Sequence, residues 1–143
     1  MIFDYPRNVR FQCLRCALCC GDTTERVRRI LLLEAETRRI AQAIRKPIEE
    51  FAMRIEGHAP YVYEMIKTVE EGKCVFLEKK ECTVYPMRPL ICRFYPFELK
   101  IVRNAKREFF FTKECLGIGK GERLTKSYFK NLLQQLMNGK YET

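Results

Sequence analysis

The chain has 143 residues, 47% hydrophobic and 31% charged, with a formal net charge of +9 and a pI near 9.2. That length supports a hydrophobic core, so metal need not be its only source of order. No apolar run approaches the roughly 18–20 residues that cross a bilayer, and residues 1–7 lack the layout of a signal peptide, so the expectation is a soluble cytoplasmic protein without membrane contact.

Patterning predicts one small α+β domain over residues 1–143, with short strands and hairpins around a cysteine-ligated metal and an amphipathic helix at the C-terminus. Residues 7–12 read as a short strand, and residues 26–32 as a second strand or the start of a helix. Residues 33–46 look helical, with Leu33, Ala35, Ile40, Ala43 and Ile44 as the apolar stripe. Pro47 suits the first turn of another helix, with Ile48, Phe51 and Ala52 inward. Gly57 and Pro60 bracket a break. Residues 61–66 and 74–77 read as strands, and the polar turn at 78–81 returns the chain to Cys82. A helical turn is expected at 90–94. Residues 97–102 and 108–112 should pair across a turn at Asn104. The last helix, about 125–138, has Thr125 as its cap, Phe129, Leu132, Leu133, Leu136 and Met137 as its stripe, and Gly139 as its stop.

Eight cysteines in a reducing compartment point to metal or redox chemistry. Cys13, Cys16, Cys19 and Cys20 fall within eight residues. Two intervening residues let a turn aim both sulfurs at one centre, and the repeated interval reproduces the triplet of bacterial ferredoxins, without its C-x3-C-P ending. Neighbouring side chains diverge, so Cys19 and Cys20 either reach different sites or only one is a ligand. Gly21 would let the backbone approach a sulfur. The second group is Cys74, Cys82, Cys92 and Cys115, looser in spacing. Around Cys92 stand Arg88, Arg93 and several aromatic rings, which exclude water while a guanidinium offsets thiolate charge from behind the ligands.

Cys13-x2-Cys16-x2-Cys19-Cys20, the Cys74 and Cys82 pair, and Arg88-Pro89-x2-Cys92-Arg93-x-Tyr95-Pro96 resemble the YkgJ-type cysteine-cluster family, over roughly residues 11–118. Its members are described as zinc- or iron-chelating. A similar cysteine domain in flagellin lysine-N-methylases is associated with an iron–sulfur cluster. The resemblance implies metal at the matched cysteines and no settled reaction; the additional chain a methylase needs has no counterpart here.

These readings lead to one principal expectation: a cytoplasmic protein with an iron–sulfur cluster, [4Fe-4S] in type, that transfers electrons or supports a partner protein's redox reaction. The alternative is a zinc-stabilised four-thiolate module binding nucleic acid or protein through its basic surface. Four thiolates around a divalent ion carry about −2, so two such sites would bring the charge down to about +5. Metal storage is a third reading. No independent catalytic motif is present, and any enzyme activity would be of oxidoreductase type through the metal. The only histidine, His58, reads as a surface residue. Arg26, Arg28, Arg29, Arg38, Arg39, Arg45 and Lys46 read as a solvated face rather than a phosphate-binding one, and Phe94, Tyr95, Phe97, Phe109, Phe110 and Phe111 as core rather than base-stacking platforms.

Overall fold

The computed structural model describes residues 2–14, 17–23, 26–79, 81–102 and 105–140. The fold is α+β: short strands in small sheets, with helices packed against them. Strands β1 (Phe3–Asp4) and β2 (Arg10–Phe11) come first, then β3 (Leu31–Leu32) and helix α1 (Glu34–Ile44). Strands β4 (Ala52–Arg54), β5 (Tyr63–Met65), β6 (Leu77–Glu78) and β7 (Glu81–Cys82) follow, and then the short helix α2 (Leu90–Phe94). Strands β8 (Phe97–Val102), β9 (Lys106–Phe111) and β10 (Ile118–Arg123) lead to helix α3 (Lys126–Lys140). The sheets are β1-β9-β8, β10-β2, β3-β5-β4 and the hairpin β6-β7, with β1 parallel to β9 and the other pairs antiparallel.

The apolar side chains divide between two packed clusters. In the first, α3 lays Phe129, Leu132, Leu133 and Leu136 on the β1-β9-β8 sheet against Phe3, Phe97 and Phe109. This is the burial expected from an i, i+3, i+4, i+7 stripe. In the second, α1 contributes Ile40 and the β3-β5-β4 sheet contributes Leu32, Ala52 and Met65, with Ile30 and Phe51 beside them. Helix α2 joins the two: Leu90 and Phe94 belong to the first cluster, while Ile91 and Cys92 pack on the second. A five-residue helix has little stability of its own, so these opposed contacts are what set its position.

Several expectations are corrected. After Pro47 there is only a single 3-10 turn (Ile48–Glu50), because the chain turns into β4 with Phe51 and Ala52 buried. Of residues 26–32 only Leu31 and Leu32 are strand. Of residues 74–77 only Leu77 is strand, as the first residue of β6, and Val75 and Phe76 form a turn before it. Helix α3 continues through Gly139 to Lys140. The pairing of β8 with β9 is as expected, but the turn at Asn104 lies outside the described residues.

The inner face of α1 also differs from the expected stripe. Ala43 is exposed, whereas Glu36 and Thr37 are buried. The Glu36 carboxylate accepts the Leu33 N–H at 2.8 Å and the Leu90 N–H at 2.9 Å, tying the start of α1 to the start of α2. Glu36→Gln keeps the shape but turns one acceptor into a donor and leaves a buried N–H without a partner. The expected cost is about 1–3 kcal/mol, read as a lower denaturant midpoint. Burial pushes the Glu36 carboxyl above the usual glutamate range, although its two N–H bonds pull the other way. The folded chain therefore retains a proton that the unfolded chain releases. This contribution to stability is fully present below the ordinary glutamate value and is lost as pH rises through the raised one. Denaturation curves across that range should show the loss in the wild-type chain and not in Glu36→Gln.

Candidate metal centre

The cysteines come together through backbone contacts rather than through long elements. Gly21 forms a bridge with Lys73, and the Asp22 N–H bonds the Gly72 carbonyl at 2.9 Å. A Cβ at Gly21 would lie 2.6 Å from that carbonyl oxygen, so the close approach needs glycine at this point. Gly21 thus lets one backbone segment approach another, and its closest neighbours are backbone and Lys73 rather than a sulfur. The bridge sets Cys20 beside Cys74, whose N–H bonds the Cys20 carbonyl. From Cys74 the chain turns into the β6-β7 hairpin, where Cys82 pairs with Leu77. Cys92 sits in α2, one turn after Pro89, whose carbonyl accepts the Cys92 N–H at 2.9 Å. Cys13 and Cys115 adjoin the β2-β10 pair, where the Gln12 N–H reaches the Gly117 carbonyl at 3.1 Å.

One cavity of about 370 Å³ is lined by Cys13, Cys19, Cys20, Cys74, Cys82, Cys92 and Cys115. These are all the cysteines among the described residues; Cys16, also expected as a ligand, lies outside them. Phe11, Ile30, Met65, Val84 and Tyr128 supply apolar wall. Cys20, Cys74 and Cys115 are buried, Cys19, Cys82 and Cys92 partly covered, and Cys13 exposed. The Cys19 and Cys20 sulfurs stand 3.9 Å apart. Among the described residues no three His, Cys, Asp or Glu side chains converge as ligands of a single ion.

The electrostatics follow from this crowding. A hydrogen bond from the Cys20 thiol holds Cys19 down to about 6, with Arg28 and Arg88 assisting against burial. Cys20 moves strongly upward in return. Burial pushes Cys74 up to about 11 and Cys92 up to about 12, and it raises Cys82 as well. Neighbouring sulfurs add to each of these three shifts. Such a wall of mostly neutral thiols suits a soft cation, which displaces the protons and replaces mutual repulsion with attraction. The Phe76 N–H points at the Cys74 sulfur from 3.5 Å, a contact that would stabilise a thiolate there.

Arg88 and Arg93 were expected to stand behind the sulfurs. Both line the cavity. Arg88 stacks on Tyr85, 4.0 Å from the ring centroid, and favours the charged forms of Cys19 and Cys82. Arg93 is exposed and bonds the Arg88 carbonyl at 3.2 Å and Gln135 at 2.9 Å. The residue that sequence reasoning missed is Arg28. Its Nε donates to the Cys19 carbonyl at 3.0 Å and a terminal nitrogen to the Ile91 carbonyl at 3.4 Å, clamping the Cys19–Cys20 turn to α2. Asp22 accepts the Arg28 N–H and the Lys67 ammonium, each at 2.7 Å, and fixes the base of the clamp. The available signal was position: Arg28 lies between Arg26, which pairs with Glu114 in a part-buried contact, and Arg29, which pairs with Glu64 at the surface. A run of arginines does not itself reveal which one turns inward.

The cavity and its donors agree with a comparison against protein families. Residues 12–116 match the CxxCxxCC family model, described as "Putative zinc- or iron-chelating domain". The chain belongs to the CxxCxxCC family. A curated relative, the uncharacterized protein MJ0661 of Methanocaldococcus jannaschii, is 31% identical over 137 residues, covering 90% of this chain and 70% of its own length. No solved structure matches the chain significantly. The family's description thus names zinc or iron chelation, and its matched segment contains all eight cysteines. No helix among the described residues is long and apolar enough to cross a membrane.

Proposed function

We propose that this CxxCxxCC protein holds an iron–sulfur cluster of [4Fe-4S] type on its cavity thiols and serves electron transfer, or a partner protein's redox reaction, in the cytoplasm. The observation that carries the reading is the single cavity of about 370 Å³ with seven thiols on its wall. A tetrahedral zinc site closes at metal–sulfur bonds of about 2.3 Å, which sets its sulfurs about 3.8 Å apart and leaves no enclosed volume. The cysteine cavity is partly open to solvent and wide enough to admit a polyatomic group. When bound, such a cluster supplies one-electron chemistry.

The chain's own residues do the rest. Cysteine sulfurs hold the group; Phe11, Ile30, Met65 and Tyr128 keep water from it. Arg28 and Arg88 offset negative charge near Cys19. The Phe76 N–H bonds a sulfur, and such bonds, together with burial, set reduction potential.

The test is purification without oxygen, followed by a visible spectrum and assay of iron, zinc and acid-labile sulfide. A brown protein with equal iron and sulfide is expected. A colourless protein carrying zinc and no sulfide would overturn the reading in favour of a structural zinc module.

A further inference from the structure

Strand β8 is an outer strand of its sheet: in the order β1-β9-β8 it pairs with β9 alone. The register sets Phe97 opposite Phe111, and one step before it the Thr112 N–H bonds the Pro96 carbonyl at 3.1 Å. Bonded and non-bonded pairs alternate along an antiparallel ladder. Glu98, Lys100 and Val102 therefore turn their N–H and C=O groups toward β9, while Phe97, Leu99 and Ile101 turn theirs outward. Among the described residues these outward groups meet no backbone partner. Such an edge is a template for a further strand.

Every residue of β8 from Phe97 to Ile101 lines a groove of about 630 Å³, distinct from the cysteine cavity. Ile91, Phe94, Leu133 and Leu136 give it apolar wall, and two further apolar lining residues, Val27 and Ile101, are 72% and 74% exposed. Its charged residues are Arg26, Arg28, Arg29, Lys100 and Arg107 against Glu98 alone. Glu114 and Glu64 answer Arg26 and Arg29. Arg28, Lys100 and Arg107 pair with no carboxylate among the described residues. The groove thus carries positive charge that its own surroundings leave unbalanced.

We propose that β8 and this groove bind an extended acidic segment of a partner protein, which adds to the free edge as a further strand. Backbone bonds to Phe97, Leu99 and Ile101 supply affinity, and side chains supply specificity. Carboxylates of the segment answer Arg28, Lys100 and Arg107, and its apolar side chains cover Val27 and Ile101. A second copy of this chain fits worse, because pairing β8 with itself would bring two basic grooves together in a chain of net charge +9. Tyr95 lines both the groove and the cysteine cavity, and Arg28 reaches from the groove to the Cys19 carbonyl. A docked strand would therefore lie beside the thiols. The proposal rests on the functional reading above only for the partner's redox role; strand binding is measured apart from metal, so either can fail alone.

The probe is a fluorescein-labelled peptide of alternating valine and glutamate, six residues long like β8, titrated with the full chain and read by fluorescence anisotropy. Saturable binding is expected. It should vanish for a valine–lysine peptide, and for the valine–glutamate peptide N-methylated throughout, which keeps the side chains but has no N–H to donate. Ile101→Pro removes an outward N–H at an exposed side chain and no bond to β9, and Lys100→Glu/Arg107→Glu reverses the charge. Each should weaken binding by about tenfold or more, with circular dichroism checking that the variants fold. Hydrogen exchange on the wild-type chain guards against misfolding of either: bound peptide should slow exchange across residues 97–102. No saturable binding, undiminished binding of the N-methylated peptide, unchanged binding to both folded variants, or unchanged exchange in β8 overturns the proposal. A concentration-dependent dimer that Ile101→Pro abolishes would give the edge to a second copy and overturn it too.

Discussion

Cys92→Ser is expected to weaken metal retention by more than the 10–100-fold that residues behind a metal's direct ligands typically cost. The reason is position. Cys92 lies in a helix held from both sides, with Leu90 and Phe94 locked in one core and Ile91 against the other, so the backbone fixes where its sulfur is presented. Serine keeps the size but offers a hard oxygen where soft metals prefer thiolate. The two cores remain, so the variant should fold, with secondary structure unchanged. Its melting temperature should no longer rise with added metal, because ligand-linked stabilisation requires a site in the folded state. The measurements are metal per chain after dialysis against a chelator and thermal unfolding with and without metal. A Cys92→Ser chain that retains full metal under those conditions would remove Cys92 from the metal-holding thiols.

Phe129→Ala should produce the largest loss of stability and spare the metal. Its ring is fully buried and lies 4.9 Å from the Phe97 centroid, 5.2 Å from those of Tyr5 and Phe109, and 5.3 Å from that of Tyr128. Truncating a buried phenylalanine costs about 3–5 kcal/mol through lost transfer energy and the cavity left behind. That is a large share of the roughly 5–15 kcal/mol that holds an ordinary domain together. Phe129 does not line the cysteine cavity, so metal per folded chain should stay at the wild-type value. Chemical denaturation and metal analysis of the folded fraction give both numbers. A parallel loss of metal would mean that the two cores are coupled more tightly than their packing implies.

Elements whose burial follows their periodicity were legible in the sequence. The stripe from Phe129 to Leu136 became the inner face of α3, and the alternation at 97–102 became β8. The hairpin that presents Cys82 followed from its polar turn. Glu36 was not legible, because a carboxylate in a helix looks solvated unless the donors that satisfy it are known, and one of them, Leu90, is 54 residues away. Ile101 completes the alternation of β8 yet is 74% exposed. The turn after Pro47 failed as a helix because Phe51 and Ala52 are buried at the start of a strand that pairs with β5.

The sequence by itself determined the chemistry: eight thiols in two groups, too close and too numerous for core packing, with aromatic residues and arginine beside Cys92. It determined the family for the same reason, since ligand type and spacing are local properties of the chain. Only the tertiary structure decided that sulfurs as distant as Cys13, Cys74 and Cys115 share one cavity, and that Arg28 clamps two cysteine-bearing segments. Those facts depend on backbone hydrogen bonds and close approaches between segments far apart along the chain, such as Gly21 on Lys73 and Gln12 on Gly117. Periodicity reports which side of an element is apolar; it carries no information about which distant segment that side will meet.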